Sequence, residues 1–239
     1  MIFLVQGKAE ELDYWEQKLS GHEYILAAWD KPRRKAEYIP NTTWASGRKV
    51  LYQKAKARFK HFDYVTFIDA DAKIHSGSLN DYLNFCYSKN PSILVPWCDK
   101  LNSYSYLKFL SPIGGMFDSD ELFQTFSTKY LKKYFNNESP YTTKYDDLSW
   151  WYSCYIAQAN FRSLEKTRPR IFSKLDIVNS GHGSSYSRKM PWAEKKSILQ
   201  EQNVKINYPL RVYSNNAPWY LPLFSLADHL YVIYTYLFK

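Results

Sequence analysis

The chain has 239 residues, 45% hydrophobic and 23% charged. That length and balance suit one larger domain, or one domain plus a tail, and exclude a disordered chain, collagen and a coiled coil. Its 22 Tyr, 14 Phe and 8 Trp supply enough ring surface for a substantial core and for stacking on sugars or bases, and a net charge of +9 attracts phosphates without choosing among nucleotides, nucleic acid and lipid.

Ile2 to Val5 is a short apolar run ending in Gln6-Gly7, the pattern of a buried parallel strand. Residues 8 to 20 carry Leu12, Trp15 and Leu19 at helical spacing, and Gly21 can stop that helix. Tyr24 to Trp29 reads as a second strand ending at Asp30. A basic loop, Lys31-Pro32-Arg33-Arg34-Lys35, follows as a candidate phosphate-facing region, with Pro40 beyond it. Ser46-Gly47 opens a helix to about Lys60, with Leu51, Ala55 and Phe59 on one face. Tyr64 to Ile68 is a third strand and ends in Asp69-Ala70-Asp71. Asn80 to Ser88 reads as a helix and Ile93 to Val95 as a fourth strand. Alternating β and α elements imply a parallel sheet with helices on both faces. After residue 100 the pattern loosens, with helical composition over 120 to 135 and 146 to 160.

The tail from Pro218 is apolar and aromatic: Leu221 to Phe238 contains only Asp228 and His229 as charged or imidazole groups. A bilayer span needs about 20 apolar residues, and Pro218, Pro222 and the two polar groups argue against a simple one. The tail is expected to pack on the domain or a second subunit, or to lie at a membrane surface through Trp219, Tyr220, Tyr231, Tyr234 and Tyr236. Cys86, Cys98 and Cys154 fit neither a disulfide framework nor a zinc pattern. The Met1 to Gly7 run is too short for a signal peptide and has no basic start. Together these point to a reducing, cytoplasmic setting, with peripheral contact at the inner face of a membrane as the alternative placement for the tail.

The chemistry is concentrated at Asp69-Ala70-Asp71. An apolar strand delivers two carboxylates at its C-terminal end, the edge at which open α/β sheets bind ligands. Strand alternation is expected to point Asp69 and Asp71 to the same side. Such a pair suits a hard divalent cation, Mn2+ or Mg2+, that neutralises a diphosphate.

In these residues the chain resembles the nucleotide-sugar-dependent glycosyltransferases of the GT-A fold. The resemblance rests on Asp69-Ala70-Asp71, on Gly47-Arg48 opening the preceding helix, on Ser111-Pro112-Ile113-Gly114-Gly115-Met116-Phe117, and on Tyr145-Asp146-Asp147-Leu148-Ser149-Trp150-Trp151. It covers roughly residues 1 to 190 and identifies no subfamily. It implies a Rossmann-like α/β domain with a mixed, mostly parallel sheet over residues 1–215, its nucleotide-sugar half about 1–100 and its acceptor half about 101–215. Residues 216–239 form the tail.

By the same resemblance Asp71 binds the metal directly, and Asp69 lies near the ribose and the metal's waters. His182, in Asn179-Ser180-Gly181-His182-Gly183-Ser184-Ser185, supplies a third metal ligand, with Arg188 and Lys189 as added phosphate contacts. Gln6, Gly7 and Asp30 border the nucleoside pocket. Arg48 faces the diphosphate or donor sugar, and Gly114-Gly115 let the backbone approach a sugar. Asp147 is the acid that serves the chemistry and Asp146 the donor-sugar contact, or the reverse. The donor is of UDP or GDP type and the acceptor a glycan or lipid-linked hydroxyl in bacterial or viral glycan synthesis.

Two other classes compete. A nucleotidyltransferase shares the sheet, but it usually shows a Gly-rich basic loop after the first strand, where this chain has Gln6-Gly7-Lys8-Ala9. A non-catalytic carbohydrate- or nucleic-acid-binding protein would use the basic charge and rings, yet none of the common nucleic-acid motifs appears and the paired carboxylates go unexplained.

Overall fold

The computed structural model describes residues 1–98, 122–135, 139–141 and 170–180. Eight strands and four α-helices occur in these segments: β1 (Ile2–Gly7), α1 (Leu12–Lys18), β2 (Glu23–Ala28), β3 (Ala36–Tyr38), α2 (Trp44–Lys56), β4 (Tyr64–Asp69), β5 (Ala72–Ser76), α3 (Leu79–Lys89), β6 (Ile93–Cys98), β7 (Phe123–Ser127), α4 (Thr128–Phe135) and β8 (Arg170–Asn179). A single 3-10 turn, Phe59–His61, follows α2.

The strands form one sheet in the order β3-β2-β1-β4-β7-β6-β8-β5. β3, β2, β1 and β4 are mutually parallel, β7 runs antiparallel between β4 and β6, β8 is parallel to β6, and β5 closes the edge antiparallel to β8. This is an α/β, GT-A-like fold with a mixed, mostly parallel sheet.

Central strands must be apolar on both sides, and β1 and β4 are buried at every position. Alternation then divides their side chains. Phe3, Val5, Tyr64 and Ile68 join Leu12 and Trp15 of α1 and Tyr82 of α3 in one cluster. Ile2, Leu4, Val65 and Phe67 join Leu51, Tyr52 and Ala55 of α2 and Tyr130 and Leu131 of α4 in the other. Trp15, fully buried, donates its Nε1–H to the Ala72 carbonyl at 2.9 Å, so even the largest core side chain has its polar atom paired. Pro96 lies in β6 where the register to β8 shifts, as a strand residue without an N–H requires.

The expected strands and helices of the first hundred residues are present, with ends moved by one to three residues, or more in the helices before β2 and β4. Three short or polar strands, β3, β5 and β8, were not expected. The helix expected over 120 to 135 is a correction: Phe123–Ser127 is β7, and only Thr128–Phe135 is helical. Cross-strand bonding decides this, because β7 alternates between β4 and β6 and is buried at all five positions. The helix expected over 146 to 160 and the tail 216–239 lie outside the described residues.

Candidate functional site

The chain runs from β1 outward to β2 and β3, then returns to place β4 on the other side of β1. That reversal leaves a crevice at the C-terminal ends of β1 and β4, the place where open α/β sheets bind ligands. Gln6 and Asp69 face each other there in register. Both fall on the α2 side of the sheet, by the alternation that sends Ile2, Leu4, Val65 and Phe67 the same way.

Asp69 is the centre of a clamp. Its Oδ1 accepts from Arg48 Nη2 at 2.9 Å and from Gln6 Nε2 at 3.2 Å, and its Oδ2 accepts from Trp44 Nε1 at 2.8 Å. The carboxylate is 12% exposed and the Arg48 side chain 1%, so this ion pair is largely withdrawn from water. Taking away one partner of such a pair costs about 3–5 kcal/mol, because the other charge stays buried. The guanidinium is also enclosed by rings: its Cζ lies 4.2 Å from the Trp44 centroid, 4.8 Å from Tyr141 and 5.8 Å from Phe67. The hydroxyl of Tyr141 donates to Gln124 Oε1 of β7 at 2.6 Å, which ties this ring to the sheet.

Local sequence explains how Arg48 reaches this position. Thr43 and Ser46 form a reciprocal capping box that starts α2 at Trp44. Trp44 and Arg48 are then four residues apart on one face, toward β4. Gly47 is needed for the approach of helix to strand: a Cβ there would stand 2.5 Å from Gln6 Oε1. Gly7 serves the same purpose at the end of β1, where a Cβ would stand 2.2 Å from the Cβ of Ala70.

The two acidic residues of the motif occupy different environments. β4 ends at Asp69 and the chain turns at Ala70 and Asp71 into β5, so strand alternation does not extend to Asp71. Asp71 is half-buried in that turn, and its carbonyl accepts from the backbone N–H of Ser180 at 3.0 Å and from its hydroxyl at 2.8 Å. Ala70 is pinned from two sides: its N–H donates to the Gln6 carbonyl at 2.7 Å, and its carbonyl accepts from Lys73 Nζ at 3.1 Å. Burial lowers the Lys73 ammonium pKa, although Glu11 and Asp71 act in the opposite direction.

Asp30 is exposed beyond the end of β2, with its Oδ1 accepting the Ala9 N–H at 2.8 Å. That bond holds its carboxyl below the usual carboxylate range and joins the loop after β1 to the end of β2. Trp29, 36% exposed, stands beside it with its backbone N–H on the Gly7 carbonyl.

Gln6, Gly7, Asp30, Asp69 and Asp71 thus gather at one edge of the sheet. Arg48 is there too, with Nη2 on Asp69 and its buried guanidinium against the rings of Trp44, Tyr141 and Phe67. Part of the basic loop is likewise engaged: Arg33 pairs with Asp13 and Glu16, and Lys35 with Glu16, all on α1. Gly114, Gly115, Asp146, Asp147, His182, Arg188 and Lys189 lie outside the described residues. Trp44, Tyr141 and Lys73 were missed, since an aromatic residue or a lone lysine in the sequence reads equally well as core or surface. For Trp44 a signal existed: it stands four residues before Arg48 on the helix that leads into the motif strand.

The described residues fit a divalent cation in part. Among them no group of three His, Cys, Asp or Glu side chains could hold a metal ion. Asp69 gives three of its acceptor positions to protein donors, and Asp71 is the second carboxylate of the pair. Cys86 and Cys98 are buried thiols, and burial pushes Cys86 up to about 12, far from a reactive thiolate. Among the described residues no helix is long and apolar enough to cross a membrane.

No family profile matches the sequence, and no curated protein matches it. Solved structures do resemble the fold. A 1–349 fragment of TarS from S. aureus superposes with a TM-score of 0.51 at 10% identity, over 75% of this chain and 60% of that one. A longer TarS structure gives 0.50 at 11% identity over 87% and 44%. The chain therefore spans well under two thirds of TarS. A197 from STIV gives a TM-score of 0.49 at 11% identity, over 80% of this chain and 98% of that one. TarS has been solved in complex with UDP and with UDP-GlcNAc. At these identities the likeness establishes the GT-A-like fold and nothing finer.

Proposed function

We propose that the protein is a glycosyltransferase that moves a sugar from a nucleoside-diphosphate sugar of UDP or GDP type to an acceptor hydroxyl. The observation that carries this reading is the Asp69 carboxylate at the β1/β4 crevice, held in place in a fold shared with a protein whose crystals contain UDP-GlcNAc. In this reading the nucleoside lies across the strand ends, bordered by Gln6, Gly7, Trp29 and Asp30. Asp69 accepts a donor from the ligand at the position left open on Oδ2. Mn2+ or Mg2+, held by Asp71 and His182, would neutralise the diphosphate. Gly114-Gly115 border the acceptor side.

Asp147, or Asp146 in its place, acts on the acceptor side of the reaction. In an inverting enzyme it takes the proton from the acceptor hydroxyl as the oxygen bonds to the sugar's anomeric carbon, and the bond to the diphosphate breaks with its electrons going to the leaving nucleotide. The acceptor is a glycan or lipid-linked hydroxyl. The apolar tail from Pro218 places the enzyme at a membrane-borne acceptor or against a second subunit.

Calorimetry with UDP, GDP and their sugars, with and without Mn2+, tests the reading. One nucleotide is expected to bind with an affinity that falls on adding EDTA, and Asp71→Asn should abolish the metal's effect. Binding of neither nucleotide would sink the proposal. Asp147→Asn should lower transfer by about 100- to 10,000-fold while leaving nucleotide affinity in place.

A further inference from the structure

Arg48 is the most thoroughly buried charged side chain at the candidate site, and a direct role on a phosphate does not explain its surroundings. A phosphate-binding arginine presents its fork to the ligand. This one gives Nη2 to Asp69 Oδ1, is 1% exposed, and has its guanidinium against Trp44, Tyr141 and Phe67. Trp44 spends its own indole N–H on the other oxygen of the same carboxylate. Gln6 adds a third bond while its Nε2 also donates to the Trp44 carbonyl at 3.0 Å.

Counted by oxygen, Oδ1 takes two donors and Oδ2 one. A carboxylate offers about four acceptor positions, so one remains, on Oδ2, of a side chain that is 12% exposed. Two elements converge on this single group, β1 through Gln6 and the start of α2 through Trp44 and Arg48, and the Tyr141 ring packs on Arg48 behind them. Such an arrangement fixes the direction of the last acceptor position.

We infer that Arg48 is a positioning residue that acts on the nucleotide through Asp69 and not by touching the diphosphate, with Trp44 as its partner in the clamp. The inference rests on the glycosyltransferase reading above and deepens it. Removing Arg48 then misdirects Asp69, which weakens whatever part of the ligand Asp69 holds. A group that orients a binding residue typically matters by about 10- to 100-fold. The loss should appear with a ligand that carries no phosphate.

The test compares a nucleoside with its diphosphate, uridine with UDP or guanosine with GDP, whichever the wild type binds, in the presence of Mn2+. Arg48→Lys, Asp69→Asn and the double variant are titrated after circular dichroism has shown each to be folded. Arg48→Lys should weaken nucleoside and nucleoside diphosphate by the same factor, about 10-fold. It should add no further loss in the Asp69→Asn background. A loss confined to the diphosphate, or one that adds in full on Asp69→Asn, would show Arg48 on the phosphates and overturn the inference. So would unchanged nucleoside affinity in Arg48→Lys. If Arg48→Lys does not fold, Trp44→Phe carries the same test, because it removes the indole N–H bond to Asp69 Oδ2 while keeping an aromatic ring beside Arg48: nucleoside affinity should fall, and an unchanged value overturns the inference. A wild type that binds neither nucleoside nor diphosphate refutes the glycosyltransferase reading itself, which is a separate and recognisable failure.

Discussion

At Asp69 three donors from two parts of the chain, β1 and α2, meet one carboxylate, and the fit depends on an atom that is missing. Gly47 lies on α2 where a Cβ would stand 2.5 Å from Gln6 Oε1. Gly47→Ala therefore has to displace either the helix or the amide. Alanine is the better helix former by roughly 1 kcal/mol, so propensity alone would make the variant more stable. Displacing Gln6 and loosening the Arg48–Asp69 pair outweighs that gain. The expected outcome is a folded protein with a lower melting temperature and nucleotide affinity reduced several-fold. Measured stability at or above wild type, with unchanged affinity, would show that the amide moves aside freely. The sequence displayed much of this site. Gln6, Gly7, Asp30, Gly47, Arg48, Asp69 and Asp71 could be picked out because each ends a strand or opens a helix. The direction of Arg48 could not, since one residue type serves equally on a phosphate or on a buried carboxylate. Only the rings of Trp44 and Tyr141, from separate segments, decide between them.

Helix α2 carries the clamp, so the start of that helix belongs to the site as much as to the fold. Thr43 accepts from the Ser46 N–H, and the Ser46 hydroxyl accepts from the Thr43 N–H at 2.7 Å. Loss of a cap of this type costs about 1 kcal/mol. For a domain of this size that corresponds to a fall of about 2–4 °C in melting temperature. Thr43→Ala is expected to show that shift, together with a faster exchange of the first-turn amides next to Trp44. An unchanged melting temperature would mean that packing of Leu51, Tyr52 and Ala55 alone fixes the helix start. Elements with a strong local signal were legible in the sequence: β1 as an unbroken apolar run, α1 and α2 by spacing, β4 by its acidic end. β7 was not, because Phe123-Gln124-Thr125-Phe126-Ser127 runs into α4 without a turn residue and its strand character comes from pairing with β4 and β6. β3 and β5 are partly exposed edge strands whose polar composition resembles a loop.

For the whole molecule, the nucleotide reading has a thermodynamic consequence that does not require knowing the acceptor. A ligand that binds only the native state raises stability by an amount set by its concentration relative to Kd, about 2.7 kcal/mol at a hundred times Kd. At the same scale of 2–4 °C per kcal/mol, the right nucleoside diphosphate should raise the melting temperature by about 5–10 °C. The crevice lies at the ends of β1 and β4, two interior strands whose side chains enter both core clusters, so the stabilisation should reach the global transition and not one loop. The shift should be larger with Mn2+ than with EDTA in the wild type, and Asp71→Asn should remove that difference while leaving the apo melting temperature near wild type, because a half-exposed turn side chain contributes little to the core. Asp69→Asn should behave differently, lowering the apo melting temperature as well, since it leaves the buried Arg48 without its carboxylate. A thermal-shift panel of UDP, GDP and their sugars against these three proteins separates the two acids by role. Equal behaviour of Asp69→Asn and Asp71→Asn would contradict the division of labour between them, and no shift with any nucleotide would contradict the function.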